Sequence, residues 1–464
     1  MQSSHAAAAV DAAFDDRNLI ADAGLVPVVA LAEQVGLPGL VAEHVTISDA
    51  GNSAGANPAA KVMSLLAGMV AGADSFADVD RLRHAGNQVV FDDIRAPSTL
   101  GTFLRAFTHG HVQQLNAVLR QSLIVLAARA PLLPGAQEVV FVDLDSTHRQ
   151  VYGYAKQGAA VGRLKGKKTL HPLIATASTP IARPVIVAIR LRKGKSADVR
   201  GAARLLAEAL STVRAISPTA RIVVRGDSKF YTADLVATAA RYDAHVSLTT
   251  GSNPSVNAAI AQIPNTGWTA IHYPEAFVDA ETGELVSDAE VAEIGYTAFT
   301  SRPTAAQVAG RLIVRRVKRL NPKAPGQDGL FDVWRHHAVF VTSAFEMLQA
   351  ESQHRGHAII EQVIADAAGS AMAHLPSGSF NANAAWAVLW AIAHNLTRAA
   401  GVLAGAFHAR ATTATIRAHL INVPARLARG ARRLTLHLPQ RWPWQPAWEN
   451  LHTAIHQPPR QRTV

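Results

Sequence analysis

At 464 residues the chain is too long for a single small core, and two or three domains are expected. Lys and Arg outnumber Asp and Glu by 45 to 34, giving a formal charge of +11 and a pI near 10.2; this balance favours a polyanionic partner, with nucleic acid the first candidate. Cysteine is absent, which excludes disulfides and thiolate zinc sites. The first residues carry no basic n-region, and no uninterrupted apolar run reaches membrane-spanning length, so a cytoplasmic protein with no membrane partner is expected.

Residues 1–135 read as a helical N-terminal domain that binds DNA. Apolar spacing predicts helices from Leu25 to Leu37 and from Pro58 to Val70. A third is expected after Pro97 with Ser98 as its cap, and a longer one from His111 to Ala128. Helix, short break at His109-Gly110, helix is a pattern that DNA-reading pairs use, although bundle packing gives the same pattern. Residues 136–255 alternate strands and helices, as the first part of an α/β catalytic core. Strands are predicted at 137–145, 149–155, 171–177 and 183–192, then at 220–227 and 244–249, with helices from Ser196 to Val213 and from Tyr231 to Tyr242. Residues 256–345 scatter Gly, Pro and Asp among three strand candidates and read as a β-rich insertion. Residues 346–410 return to helix as the second part of the core, with one helix expected from Glu346 to Ala368 and another from Asn381 to Leu403. The Trp386 and Trp390 stripe on the latter reads as core. Residues 411–464 form a basic C-terminal segment, expected to be partly extended.

The candidate site begins at Val142-Asp143-Leu144-Asp145-Ser146-Thr147. A strand alternates faces, so Asp143 and Asp145 share one. Two acids facing one way repel each other unless a cation lies between them, and a divalent metal with hard oxygen ligands is the usual solution. A strand that simply ends in solvated acids is the alternative. Downstream, Lys156, Arg163, Lys165, Lys167 and Lys168 form a Gly-punctuated basic segment suited to DNA phosphates. A second acid, Asp227, closes a strand in Arg225-Gly226-Asp227; Gly226 would admit a close approach, while an N-cap role for Asp227 competes. A third acid is sought on a flanking helix. Glu361 fits, because His354, His357 and Glu361 share a helix face. Glu351 and Asp366 are the alternatives, and a zinc reading of His354, His357 and Glu361 matches no common motif well. Trp268 or Trp334 in the insertion could stack on a displaced base, but core packing is the better reading for each.

Taken together, Asp145-Ser146-Thr147, Asp227 and Glu361 resemble the acidic triad of DDE transposases from bacterial insertion sequences. The segments Asp143 to Gly153, His171-Pro172-Leu173, Arg225 to Tyr231, His354 to Val363, Ala382-Asn383 and His394-Asn395-Leu396 look most similar to insertion-sequence (IS) family 1380. The resemblance spans about Leu19 to Trp444. It implies an RNase H-like catalytic domain, a mixed five-stranded sheet with flanking helices, interrupted by the β-rich insertion. It further implies that Asp145, Asp227 and Glu361 are both catalytic residues and ligands of two Mg2+ ions, with Mn2+ able to substitute, and that no small-molecule cofactor is needed. The implied partners are terminal inverted repeats and target DNA, bound by a homodimer in the bacterial cytoplasm and nucleoid. His354, His357 and Ala368 stand where relatives often carry Tyr, Arg and Lys. Here His354, His357 and Arg355 are the expected phosphate contacts on that helix, and Arg429 and Arg433 the expected contacts in the C-terminal segment. The rival readings are a nuclease on the same fold that does not join strands, and a DNA-binding protein whose acids are relics.

Overall fold

The computed structural model describes residues 9–48, 53–162, 164, 166–271, 289–318, 334–430 and 433–456. It is a mixed α/β structure around one large mixed sheet. The sheet has nine strands in the order Thr269–Ile271, Ala289–Ala298, Val308–Lys318, Trp334–Val341, Ala244–Thr249, Ile222–Gly226, Val140–Ser146, Leu173–Ser178 and Val185–Arg190.

The inner part follows from its sequence. Val140–Ser146 is buried along its first five residues and opens only at Asp145 and Ser146. Leu173–Ser178 and Val185–Arg190 pair beside it in antiparallel sense, and Ile222–Gly226 and Ala244–Thr249 in parallel sense on its other side. Parallel neighbours require crossovers, and two helices supply them. Ala202–Ile216 buries Leu205, Leu206, Ala209, Leu210 and Val213, and Ala233–Arg241 buries Leu235, Val236 and Ala239. The three parallel strands therefore bring their carboxyl ends to one edge, where Asp145 and Asp227 stand.

Five strands were expected in the sheet, but it continues into the insertion. Val339, Phe340 and Val341 pair antiparallel with Thr249, Leu248 and Ser247, so the three long insertion strands extend the same hydrogen-bonded layer. An open sheet edge presents unpaired N–H and C=O groups, and the insertion satisfies one such edge. The opposite edge is closed by a side chain. Asn395 accepts from Ile186 N at 2.9 Å and donates to Ile186 O at 2.8 Å.

Asn395 belongs to Phe380–Ala404, the helix on which the molecule is assembled. It contacts the helices Leu25–Gln34, Pro58–Ala71, Pro97–Arg105, His109–Arg129 and Gln445–His456, together with the edge strand. Trp386 and Trp390 are core residues whose indole N–H groups donate to Ala371 O and Ser370 Oγ. By length and composition this helix is apolar enough to cross a membrane, but 89% of its most apolar window is buried inside the protein. One apolar core runs from Leu25 to Ile455, through the helical N-terminus, the sheet and the C-terminal helix.

Several expected elements take a different form. The first predicted helix forms as Leu25–Gln34, and an unpredicted one, Leu37–His44, follows it across Gly36, which adopts φ +75°. Ser98 does not cap the third helix, which starts at Pro97 with Ala96 in the cap position. His109-Gly110 is not a break: Thr108 caps a helix that begins at His109, in a reciprocal box with His111. The strand predicted at 149–155 is reduced to Arg149–Gln150, in a separate small sheet with Ala160–Val161 and Lys168–Leu170. The helix predicted from Glu346 to Ala368 is broken into Met347–Arg355, a 3-10 turn at Gly356–Ile359 and Ile360–Ala368. The C-terminal segment folds back, with Ala425–Arg429 pairing both Leu434–His437 and Leu19–Ile20 before the helix Gln445–His456.

Candidate active site

Two residues apart on one strand, Asp143 and Asp145 have opposite environments. Asp143 lies directly opposite Arg225 in the parallel register. It is fully buried and receives both arms of the Arg225 guanidinium, each at 2.7 Å. His357 Nδ1 stands 2.9 Å from its Oδ1. Burial by itself would raise the Asp143 carboxyl, but the Arg225 charge and the His357 hydrogen bond outweigh it and hold it below the ordinary carboxylate range. Arg225 is also spent: its guanidinium lies 4.0 Å from the Phe141 ring centroid, and Nη1 donates to Gln353 O at 2.6 Å. That last bond explains the broken helix. A Cβ on Gly356 would lie 2.9 Å from Arg225 Nη1, so a larger residue there would make the guanidinium shift where it reaches the carbonyl at the break.

Asp145 has no such partner. Burial raises its carboxyl, the Ser146 N–H and the nearby His357 oppose this, and the charge of Asp227 adds to the rise. Asp145 and Asp227 are thus close enough to repel; the repulsion expected between Asp143 and Asp145 is instead met by Arg225 and His357 on Asp143. Asp227 is half-exposed; its Oδ1 accepts from Lys229 N at 2.9 Å, and its Oδ2 lies 3.2 Å from Lys229 Nζ. The expected N-cap role is therefore present, on a 3-10 turn, together with an available carboxylate. Gly226 does not leave space for a ligand. A Cβ there would meet Phe230 at 3.2 Å and Leu248 at 3.3 Å, so the missing side chain serves packing.

Glu361 opens the helix Ile360–Ala368 and is exposed, with no hydrogen bond or ion pair among the described residues. Its helix is tied across the sheet edge at two points. His357, one turn before Glu361, contacts Asp143, two residues before Asp145. Ile364 O, nearly one turn after Glu361, accepts from Arg149 Nη2 at 2.6 Å, four residues after Asp145. These two ties bracket Glu361 and Asp145 on facing segments. The alternative acids are engaged elsewhere. Glu351 is buried between Arg355, at 2.8 Å, and Arg315, at 4.0 Å, while Asp366 accepts from Thr413 N at 3.3 Å.

Among the described residues, no three His, Asp or Glu side chains are gathered as a metal cage. The donor set nevertheless fits a hard divalent cation: Asp145 and Asp227 offer oxygens whose mutual repulsion a cation would relieve, and Glu361 is unengaged. The zinc reading fails on geometry, because His354 is spent on other groups. Its Nδ1 meets Ser247 Oγ at 3.0 Å, its Nε2 meets Thr249 Oγ1 at 2.9 Å, and burial pushes its pKa down to about 4. A neutral ring with both nitrogens occupied is not a phosphate contact, which corrects the expectation for His354.

The other expected DNA contacts divide. Lys156 donates to Leu375 O, Arg355 pairs with Glu351, and His357 is turned to Asp143. Lys167, Lys168, Arg429 and Arg433 are exposed. Arg163 and Lys165 lie outside the described residues. In the insertion, the Arg316 guanidinium stacks on both Trp268, at 4.1 Å, and Trp334, at 4.3 Å, in keeping with the packing reading. A cavity of about 450 Å³ beside Trp334, His336 and Thr250 is lined by none of the three acids.

What the sequence reading missed is the support beneath the acids. Arg225 and Arg149 were readable as basic residues near strand ends, but nothing in their spacing distinguished them from DNA contacts.

No curated protein matches the chain. A cryo-EM structure of a piggyBac transposase synaptic complex with hairpin DNA is similar over 96% of this chain and 84% of that one, at 10% identity and a TM-score of 0.42. The family model for transposase DDE domain group 1 matches residues 2–460, nearly the whole length, and the chain therefore belongs to the DDE transposase family and is a transposase.

Proposed function

We propose that this transposase cleaves DNA at the terminal inverted repeats of an insertion sequence and transfers the freed ends to target DNA. Asp145, Asp227 and Glu361 are the catalytic carboxylates. The observation that carries this reading is the pair of ties, His357 to Asp143 and Arg149 to Ile364, which hold the Glu361 helix across the edge where Asp145 and Asp227 repel each other.

The inner five strands, an antiparallel set of three that shares Val140–Ser146 with a parallel set of three, follow the pattern of an RNase H-like sheet, and the insertion interrupts the chain before Glu361. IS family 1380 is the subgroup favoured by the quoted segments. The three carboxylates would hold two Mg2+ ions, which when bound would activate a water or a DNA 3′-hydroxyl and stabilise the leaving oxygen. The protein's own residues hold the acids in place. Arg225 and His357 neutralise Asp143 and fix the strand, the Ser146 N–H orients the Asp145 carboxylate at 2.6 Å, and Lys229 sets the Asp227 side chain. Exposed Lys167, Lys168, Arg429 and Arg433 contact DNA phosphates. A homodimer would pair two element ends.

The test is a strand-transfer assay with duplexes carrying the repeats that flank the gene. Mg2+-dependent joining to a target plasmid supports the proposal. Cleavage without joining would replace it with a nuclease, and neither activity from folded, DNA-bound protein would make the acids relics.

A further inference from the structure

Behind the catalytic edge lies a polar cluster whose side chains none of the proposed chemistry uses: half-buried Ser146 and His148 with buried His171, Arg192 and Asp198. From it we infer that Asp198 is a positioning residue for Asp145, acting through Ser146; this rests on the reading of Asp145 as a metal ligand.

Ser146 links the two acids. Its backbone N–H donates to Asp145 Oδ1 at 2.6 Å, and its hydroxyl donates to Asp198 Oδ1 at 3.0 Å. Successive side chains on a strand point to opposite faces, so Asp198 reaches the site from behind the strand rather than from the side that Asp143 and Asp145 share. Ser146 is the last residue of its strand, paired with Leu173, and Thr147 N–H donates to Pro172 O at 3.1 Å just beyond it, so the hydroxyl bond adds a side-chain anchor where the ladder ends. With its hydroxyl held, the N–H stays aimed at the Asp145 carboxylate and leaves the other carboxylate oxygen to face a cation.

Asp198 is itself fixed. It is only 6% exposed and lies in the loop after Val185–Arg190. Arg192 crosses under that loop, donating to Ala197 O at 3.1 Å, to Arg200 O at 3.2 Å and to Asp198 O, while its Nε donates to His171 O at 3.1 Å. His171 stands 3.2 Å from Asp198 Oδ1, donates from Nδ1 to Ser196 O at 3.2 Å, and stacks on His148 with ring centroids 3.9 Å apart. A buried carboxylate is costly unless it is paired, and the neighbouring Arg192 charge offsets this one. The arrangement is a rigid support behind the proposed metal ligand, a position where loss typically costs about 10-fold to 100-fold in metal affinity.

The experiment compares Ser146→Ala, Asp198→Ala, Asp198→Asn and the Ser146→Ala/Asp198→Ala double variant with the unmodified chain. Binding of Mn2+ alone is followed by calorimetry, and the Mg2+ concentration for half-maximal cleavage of a terminal-repeat duplex is measured beside it. Ser146→Ala and Asp198→Ala are each expected to raise both midpoints about tenfold. The double variant should be no worse than either single, because both remove one linkage. Asp198→Asn keeps the acceptor oxygen and should restore most of the affinity, which a merely structural loss of charge would not do. Folded variants with unchanged midpoints, additive losses, or an Asn variant as weak as Ala would overturn the inference. If Asp198→Ala fails to fold, Ser146→Ala decides, since it deletes the same hydrogen bond by removing one oxygen. Asp145→Ala separates the two levels. If it retains metal binding and cleavage, the reading of the site fails; if it loses both while the Ser146 and Asp198 variants match the unmodified chain, only the inference fails.

Discussion

The base and the rim of the site are built from the same residue types and differ in what each charge meets. At the base, Asp143 is held by Arg225 and His357, Arg225 also reaches the Gln353 carbonyl, and the carboxyl is held down by its partners. At the rim, Asp145 and Asp227 repel, Asp145 is pushed up, and Glu361 has no partner among the described residues. The base is a buried polar network of the kind that fixes geometry, and the rim is electrostatic strain that a cation would relieve. A mutation in one region should therefore read out differently from a mutation in the other.

The largest expected contrast is in activity. Asp145→Ala and Asp227→Ala should each reduce Mg2+-dependent cleavage about 10³-fold or more, with the double variant little worse, because the residues act as a unit. Gel-shift binding should persist and the melting temperature should hold or rise, since like charges are removed. A rim variant that melts early while retaining its rate would erase the distinction.

Next in size is the base. Asp143 shares a strand face with Asp145 but is buried against Arg225. Asp143→Ala leaves a buried guanidinium unpaired and should destabilise the fold by about 3–5 kcal/mol in chemical denaturation. A stability within about 1 kcal/mol of the unmodified chain would show that Arg225 finds water or another acceptor.

The third contrast is with pH. Burial holds His171 and His354 down to about 4 and His394 to about 3. For these rings the native state refuses protons that the unfolded chain accepts, so their contribution is intact above the ordinary value of 6.5 and is lost as pH falls from there through 4. Melting temperature should drop across that window, with nearly one proton per ring taken up on unfolding near pH 5. Asp143, whose carboxyl is lowered, keeps its contribution down to the ordinary carboxylate range and loses it only as pH falls further, through its folded value. A flat profile between pH 6.5 and 4 would contradict the buried, neutral assignment of the rings.

The smallest effect belongs to the exposed lysines. Replacing Lys167 and Lys168 by Ala should reduce the salt slope of DNA binding by about 2, leaving cleavage of saturated DNA unchanged. An unchanged slope would move the phosphate contacts to the C-terminal arginines.

How much of this was legible in the sequence follows the same division. The strand ends at Asp145 and Asp227 were readable, because apolar alternation stops where the acids begin. The three long strands of the insertion were also readable. The break at Gly356 was not, because it depends on Arg225 arriving from a strand about 130 residues away in sequence to take a helix carbonyl. His354 looked like a phosphate contact because periodicity places it on a polar face, but only the fold shows that this face meets Ser247 and Thr249 on a strand. The extension of the sheet into the insertion was equally hidden, since strand pairing across a chain interruption leaves no local pattern.

The account rests most heavily on Glu361, the one carboxylate whose place follows from ties on either side of it. The direct measurement is Mg2+-dependent cleavage of a terminal-repeat duplex by Glu361→Ala, run beside a gel shift and a thermal melt. The expected result is a folded, DNA-binding protein with cleavage lost. A folded, DNA-binding Glu361→Ala protein that cuts at the unmodified rate would contradict the assignment and turn attention to Glu351 or Asp366.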